Sequence, residues 1–566
     1  MNWLLVLSTW LLAVGNASLF TPDIKPRDIC DGNSATTRTE WCDFDINTDY
    51  YNTVPETGVT REYFLELQDV TVSPDGVSRQ AIAVNGSIPG PTIFADWGDT
   101  VVVHVTNSLA TSGNGSSIHF HGIRQNFTNQ NDGVVSITQC PTAVGDTTTY
   151  TWRATQYGST WYHSHFALQA WEGVFGGIII NGPASSNYDE DLGMVFLNDW
   201  SHQTVDELYM SAQTSGPPTL DNGLINGTNV FGSDDSDDQT GSRLELSVTE
   251  GASYRLRLVN AAVDTHFKFS VDNHTLTVIG MDLVPIEPYT TEFVSIGMGQ
   301  RYDVILTADQ ATVATDFWMR AIPQVACSDN DSAGNIMAIL HYGDNTATPS
   351  TTGFEYTDNC DDEDSSNLVP IVSKTVGDGS NDLLEIATVG TVDNLFKWFL
   401  NSTTMVVDWA DPTLLQLSNN ITTFDNSDAV IELPDADEWA YVVIQTAFAV
   451  PHPIHLHGFD FFVLAQGTGT FSSDSVTLNT DNPPRRDTAM LPGSGYLVLA
   501  FETDNPGAWL MHCHIGWHTS EGFALQFVVR RDEILDLIDS TTLKDTCSAW
   551  SSYAEESSIE QDDSGV

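Results

Sequence analysis

The sequence predicts an all-β chain built from sandwiches or barrels, and three observations carry that expectation. Apolar and polar residues alternate with a period of two in runs such as Thr100–Thr106, Ser253–Val259 and Trp439–Gln445, which turns one face of each run toward a core. Gly, Asn, Asp and Pro separate these runs, and long stretches of helical periodicity are scarce. A pattern of turn, alternating strand and polar stop occurs at Gly98–Asn107, returns at Gly251–Asn260, and returns more loosely at Asp437–Thr446. A recurrence of this kind marks repeated structural units.

In chain order, Trp3–Val14 is a short apolar run followed by Gly15, Asn16, Ala17 and Ser18, the pattern of a secretory leader over residues 1–17 with cleavage near Ala17. The run is too short to span a bilayer, and no later stretch of about 18 uncharged apolar residues follows, so no membrane anchor is expected. Eight Asn-x-Ser/Thr sequons, at Asn85, Asn114, Asn126, Asn226, Asn273, Asn330, Asn401 and Asn420, agree with a secreted, extracellular glycoprotein. At 566 residues the chain exceeds what one hydrophobic core supports. Polar linkers at Asn181–Asp191 and Gly343–Gly353 divide it into units at 28–183, 184–345 and 346–566. The acidic tract Ser233–Gln239 reads as a solvated loop.

The 76 acidic residues against 20 basic ones leave a formal charge of −56. Repulsion on that scale excludes nucleic acid and anionic membrane surfaces as partners, and the charge itself reads as a solvated acidic surface. Seven cysteines are odd in number for an exported chain. Cys513 stands between two histidines, and a metal-bound thiolate cannot also sit in a disulfide. The other six, Cys30, Cys42, Cys140, Cys327, Cys360 and Cys547, are then free to form three bridges, with 15 connectivities open.

Ten of the fifteen histidines fall in four tight clusters: His119 and His121; His163 and His165; His452, His455 and His457; His512, His514 and His518. In a strand, residues i and i+2 point to one face, so each His-x-His sets two imidazoles side by side at metal-binding spacing. The remaining five, His104, His202, His266, His274 and His341, read as ordinary structural or surface residues. Imidazole serves several metals, but one thiolate with two imidazoles is the trigonal set of a blue copper centre. Cys513 supplies the thiolate, with His452 and His518 as its imidazoles, and alternation puts Cys513 on the face opposite His512 and His514. Eight histidines are left, too many for one ion and enough for three.

The motifs His119-Phe-His-Gly122, Trp161-Tyr-His-Ser-His165, His452-Pro-Ile-His-Leu-His-Gly458 and His512-Cys-His-Ile-Gly-Trp-His518 resemble the four copper signatures of the multicopper oxidases, in the order that family has them. The resemblance covers nearly the whole mature chain and implies three cupredoxin-like domains and four copper ions. It implies a type 2 copper held by His119 and His455, one type 3 copper held by His121, His163 and His514, and another held by His165, His457 and His512. These ligands divide between the first and last units, so the trinuclear cluster is expected at their interface.

Asn482-Pro-Pro-Arg-Arg-Asp487, Ser117–Arg124 and the terminal Asp563-Ser-Gly-Val566 are similar to the ascomycete laccases, in which the C-terminal tail plugs the channel to the trinuclear cluster. That subgroup implies the pairings Cys30–Cys42, Cys140–Cys547 and Cys327–Cys360. The axial position of the type 1 copper falls ten residues beyond Cys513, at Phe523, where the subgroup is expected to carry leucine. Phenylalanine cannot coordinate, which favours Cu(I) and raises the potential. Asp264 matches the acid that takes the phenol proton, and Asp132 the acid that relays protons toward oxygen. The activity implied is one-electron oxidation of phenolic and related aromatic donors, with His518 as the expected exposed edge, coupled to four-electron reduction of dioxygen to water by a monomer. The alternatives are another multicopper oxidase, acting on ferrous iron, bilirubin or ascorbate, and a copper-binding electron carrier without turnover.

Overall fold

The computed structural model describes residues 32–566, apart from 235 and 422. The expected leader at residues 1–17, and Cys30 with its expected bridge to Cys42, lie outside the described residues.

Three cupredoxin-like sandwiches follow one another, and the repeated strand has the same neighbours in each. Thr100–Asn107 lies parallel to Thr60–Val72 and antiparallel to Thr147–Arg153. Ser253–Asn260 lies parallel to Glu190–Trp200 and antiparallel to Arg301–Thr307. Trp439–Thr446 lies parallel to Gly379–Val392 and antiparallel to Gly495–Glu502. In each unit a second sheet closes the sandwich: four strands ending in the edge strand His119–His121, five around Phe267–Val271, and five around Gly507–Cys513. Burial alternates residue by residue along Thr100–Asn107 and Trp439–Thr446, as the two-residue period requires.

Ser253–Asn260 departs from that rule, being buried on both faces. Its polar positions, Arg255 and Arg257, pack at the border with the first unit. Arg255 pairs with Asp303 at 2.8 Å, and Arg257 donates to the Ser159 hydroxyl at 2.7 Å. Buried guanidinium groups are tolerable there because each is paired. Irregular chain continues past the expected linker at Gly343–Gly353, through residue 378. This segment is a wedge as well as a linker. Asp362 accepts hydrogen bonds from Gln300 of the second unit and from Gln466 and the Met490 amide of the third.

The helix Ser540–Ser557 returns the C-terminal segment to the first unit. Its Leu543, Cys547 and Trp550 are buried in a core shared with Val134, Ile137 and Leu510, and the Cys140–Cys547 disulfide staples that contact. A second disulfide joins Cys327 to Cys360, and Cys513 is the free cysteine among the described residues. Among the sequons, Asn330 is buried, with its amide donating to Asn222 O at 2.9 Å. Asn85, Asn126, Asn273, Asn401 and Asn420 are exposed.

Candidate metal centres

The eleven expected ligands come together in two places. Strand His452–Leu456 pairs with Gly507–Cys513 so that Ile454 faces Cys513 and His455 faces His512. Because neighbouring residues on a strand point to opposite faces, Cys513 turns toward His452 while His512 turns away with His455. The short helix Gly516–Ser520 then carries His518 back over the thiol. Cys513 Sγ lies 3.6 Å from His518 Nδ1 and 3.9 Å from His452 Nδ1, and the two nitrogens are 3.3 Å apart. All three residues are buried. Burial brings His452 down to about 3 and pushes the Cys513 thiol upward, so both imidazoles are neutral donors and the thiolate requires a cation beside it. Phe523 closes the apolar side, its ring 5.2 Å from that of His452.

The other eight histidines converge between the first and third units. Strand His119–His121 pairs with Gly158–His163, setting His119 opposite His163, and the ring of His121 stacks on that of His455 at 3.9 Å. Ligand nitrogens of His121, His163 and His514 group together, as do those of His165, His457 and His512, with each group spanning no more than 4.8 Å. His119 and His455 form a third group together with His121. None of the five remaining histidines joins any such group among the described residues. Burial, and the closeness of the rings to one another, hold His121, His163, His165, His455, His457 and His514 well below the usual imidazole range.

These residues fit metal ions. The peripheral nitrogens are tied down: Nδ1 of His119, His163, His455 and His512 donates to the carbonyls of Asp132, Ser164, Asp487 and Cys513 at 2.7–2.9 Å. Such bonds select the tautomer that leaves Nε2 as the lone-pair donor. Within the eight-histidine group, Nε2 of His119 and His455 and both ring nitrogens of His514 are buried without a hydrogen-bond partner. Orphaned buried nitrogens are costly, and coordination is what removes the cost.

Asp132 is fully buried beneath this group, with Oδ2 2.9 Å from His457 Nδ1 and Oδ1 3.2 Å from His119 Nδ1. Asp487 plays the matching part opposite. Its Oδ1 is 3.0 Å from His121 Nε2, and Arg301 and Asp282 sit behind it. In the sequence Asp487 is only the last residue of Asn482–Asp487, and nothing local signals its place beside His121. The glycine of each His-x-His-Gly follows from crowding. Gly122 and Gly458 both have φ near +75°, and a Cβ there would collide with Asp487 and Arg301 in one case and with Trp509 in the other.

His518 is 7% exposed and forms part of the wall of a cavity of about 440 Å³, whose lining includes Asp264, Trp398, Trp517 and Glu521. Burial, reinforced by Asp199, pushes Asp264 up to about 7. Asp199 accepts the amides of Val263, Asp264 and Thr265 and so fixes the loop that carries the acid. Trp398, on the edge strand Leu395–Leu400, stacks on Phe523 at 4.9 Å and lies 4.5 Å from His518. Nothing in the local sequence around Trp398 signals this position. The tail is inserted rather than frayed. Ser564 donates to the carbonyls of Ser520 and Thr519, Ser136 donates to Gly565 O, and Val566 is buried.

Multicopper oxidase family models match residues 401–533, 66–185 and 191–345. Laccase-2 of Botryotinia fuckeliana is 48% identical over 547 residues, which are 94% of this chain and 93% of that protein. The crystal structure of the laccase from Botrytis aclada superimposes with a TM-score of 0.90 at 47% identity, covering 94% of this chain and 99% of that one. Fet3p, described as a multicopper oxidase that functions in iron import, superimposes with a TM-score of 0.78 at 26% identity, over 89% and 96% of the two chains. Two cupredoxin-like units enclosing a cluster of histidines, a third unit between them in sequence, and this similarity along almost the entire length show that the chain belongs to the multicopper oxidase family and stands close to the ascomycete laccases.

Proposed function

We propose that the chain works as a laccase, oxidising phenolic and related aromatic donors one electron at a time and reducing dioxygen to water. The observation that carries this reading is the strand end His512-Cys513-His514. Its cysteine faces a two-histidine site at the wall of an open cavity, and its histidines face the eight-histidine group. His452, Cys513 and His518 would hold the type 1 copper. His119 and His455 would hold the type 2 ion, His121, His163 and His514 one type 3 ion, and His165, His457 and His512 the other. Bound copper supplies one-electron acceptance at the first centre and dioxygen reduction at the second.

The chain's own residues do the rest. The cavity seats an aromatic ring against the edge of His518, and Asp264 takes the hydroxyl proton, which makes the donor easier to oxidise. The bonds from Cys513 to its two neighbours give a short path between the centres. Asp132 and Asp487 orient the histidines, and Asp132 hands protons toward the oxygen site. Phe523 keeps the axial side of the first centre apolar, and the buried tail limits solvent access to the second. All ligands come from one chain, which supports a working monomer. Two disulfides and exposed sequons support export to an oxidising compartment, and no helix among the described residues is long and apolar enough to cross a membrane.

Ferrous iron is the second reading, favoured by three carboxyl residues, Asp264, Asp329 and Glu521, in the cavity lining. The deciding experiment is oxygen uptake by the copper-loaded protein with 2,6-dimethoxyphenol and with ferrous iron, beside metal analysis. Four coppers and a higher kcat/KM for the phenol are expected. Preference for iron would replace the laccase reading, and Cys513→Ser retaining the blue colour would overturn the ligand assignment.

A further inference from the structure

The middle unit supplies no ligand to the eight-histidine group, yet one of its turns reaches that group. The turn at residues 297–301 follows the strand Val294–Ile296 and is buried throughout. Two backbone bonds lock it to the end of strand Ser253–Asn260: Gly299 N donates to Asn260 O at 2.9 Å, and Asn260 N to Gln300 O at 3.1 Å. Gly299 has a φ of +85°, and a Cβ there would stand 2.9 Å from a ring carbon of His514 and 3.2 Å from one of His121, inside the roughly 3.5 Å at which carbon atoms pack. Gln300 donates to the Thr488 carbonyl at 3.1 Å. The Arg301 guanidinium meets Asp487 with both terminal nitrogens, at 2.6 and 2.5 Å, and each residue is only 1% exposed. Such a two-point fork fixes the plane of the carboxylate as well as balancing its charge.

Asp487 and Thr488 are in turn the residues that hold two imidazoles from behind. Asp487 Oδ1 is 3.0 Å from His121 Nε2, and the Asp487 carbonyl accepts from His455 Nδ1 at 2.7 Å. Thr488 Oγ1 lies 3.2 Å from His121 Nε2 and from His455 Nδ1. A buried carboxylate with no cation beside it is costly and free to turn, and Arg301 removes both the cost and the freedom.

We propose that Arg301, with Gly299 and Gln300 beside it, is a positioning residue for the trinuclear centre. The middle unit thereby sets the angle at which His121 and His455 present their donor nitrogens, although none of its own residues is a ligand. The inference rests on the copper assignment made under the proposed function. Arg255 is the internal reference: it is also buried in the middle unit, and its pair with Asp303 at 2.8 Å fastens that unit.

The test follows copper retained by the loaded protein against increasing chelator, with the blue absorption reporting the Cys513 site and total copper the rest, beside the Tm of each metal-free variant. Arg301→Gln should release copper from the eight-histidine group at about tenfold weaker chelation than the parent, the lower end of the range for an outer partner of metal-bound histidines, because Asp487 itself remains. Arg301→Lys keeps the charge but not the fork and should lose less. Arg255→Gln should lower the metal-free Tm and leave both copper curves where the parent has them. Gly299→Ala adds the crowding Cβ and removes no charge; it should release the same copper early, and it serves where Arg301→Gln does not fold. Parent-like copper curves in Arg301→Gln or in Gly299→Ala overturn the inference, as does equally early release in Arg255→Gln. A parent protein that loads no copper beyond the Cys513 site overturns the proposed function and this inference together.

Discussion

Replacing Asp132 by asparagine keeps the shape of the side chain and removes its charge, and the outcome can be worked from the contacts. One carboxylate oxygen accepts from His457 Nδ1 at 2.9 Å, and the other lies 3.2 Å from His119 Nδ1, whose proton is shared with the Asp132 carbonyl at 2.8 Å. An amide offers a single acceptor, so whichever way the substituted side chain turns, its NH2 faces an imidazole N–H. The loss of one charge-assisted hydrogen bond is worth about 1.5–3 kcal/mol, which is roughly 10- to 100-fold in an equilibrium constant. Outer partners of metal-bound histidines cost about the same range of metal affinity when mutated. Copper retained per chain, measured against increasing chelator, should therefore fall in Asp132→Asn at about 10- to 100-fold weaker chelation than in the parent. Oxygen uptake should fall with it, while the blue absorption from the Cys513 site outlasts the loss. Identical chelation curves for the two proteins would refute the idea that Asp132 holds these histidines in their metal-binding tautomers.

Four further outcomes are expected. Asp264→Asn should lower kcat/KM for a methoxyphenol by about 100-fold, the lower range for a positioned base. In the parent protein the same parameter should rise with pH through about 7, as the buried carboxyl loses its proton, and persistence of that limb in the variant would refute the assignment. Phe523→Met sets a thioether on the open side of the first centre and should lower its reduction potential, so an unmoved potential in redox titration would show that residue 523 is not axial. Cys547→Ser opens a bridge spanning 407 residues, for which loop entropy allows at most roughly 6 kcal/mol. Hydrogen exchange should then find the helix Ser540–Ser557 loosened first, and equal protection in both proteins would count against the staple. Finally, burial pushes Glu172 and Asp563 up to about 7. The folded state then holds these protons more tightly than the unfolded chain does, so stability is fully present below about pH 4 and is lost as pH rises toward 7. Each group contributes at most roughly 3–4 kcal/mol, and a Tm that climbs between about pH 4.5 and 7 would contradict this.

Much of the candidate site was legible because it is written in local geometry. The two-residue period of a strand sets His119 and His121 on one face, separates Cys513 from its histidine neighbours, and repeats in each unit as the same central strand. The glycine after His121 and after His457 was visible as well, although the crowding that demands it was not. Periodicity says which face a side chain occupies but not what covers that face. Arg255 and Arg257 alternate like solvent-facing residues and are buried at the border with the first unit, where Arg255 pairs with Asp303 of its own unit and Arg257 reaches Ser159 of the first. Asn330 stands in a sequon as the exposed asparagines do, yet it is buried. Trp398 reaches His518 from an edge strand more than a hundred positions earlier, and Asp487 meets His121 across 366 residues. The residue types and their spacing thus pointed to metal and to the side chains that would hold it. The division of the histidine motifs between the first and last units already implied that these meet, but the tertiary fold alone decided that a cavity lined with acid and aromatic rings lies against His518, since that depends on long-range packing that no local pattern encodes.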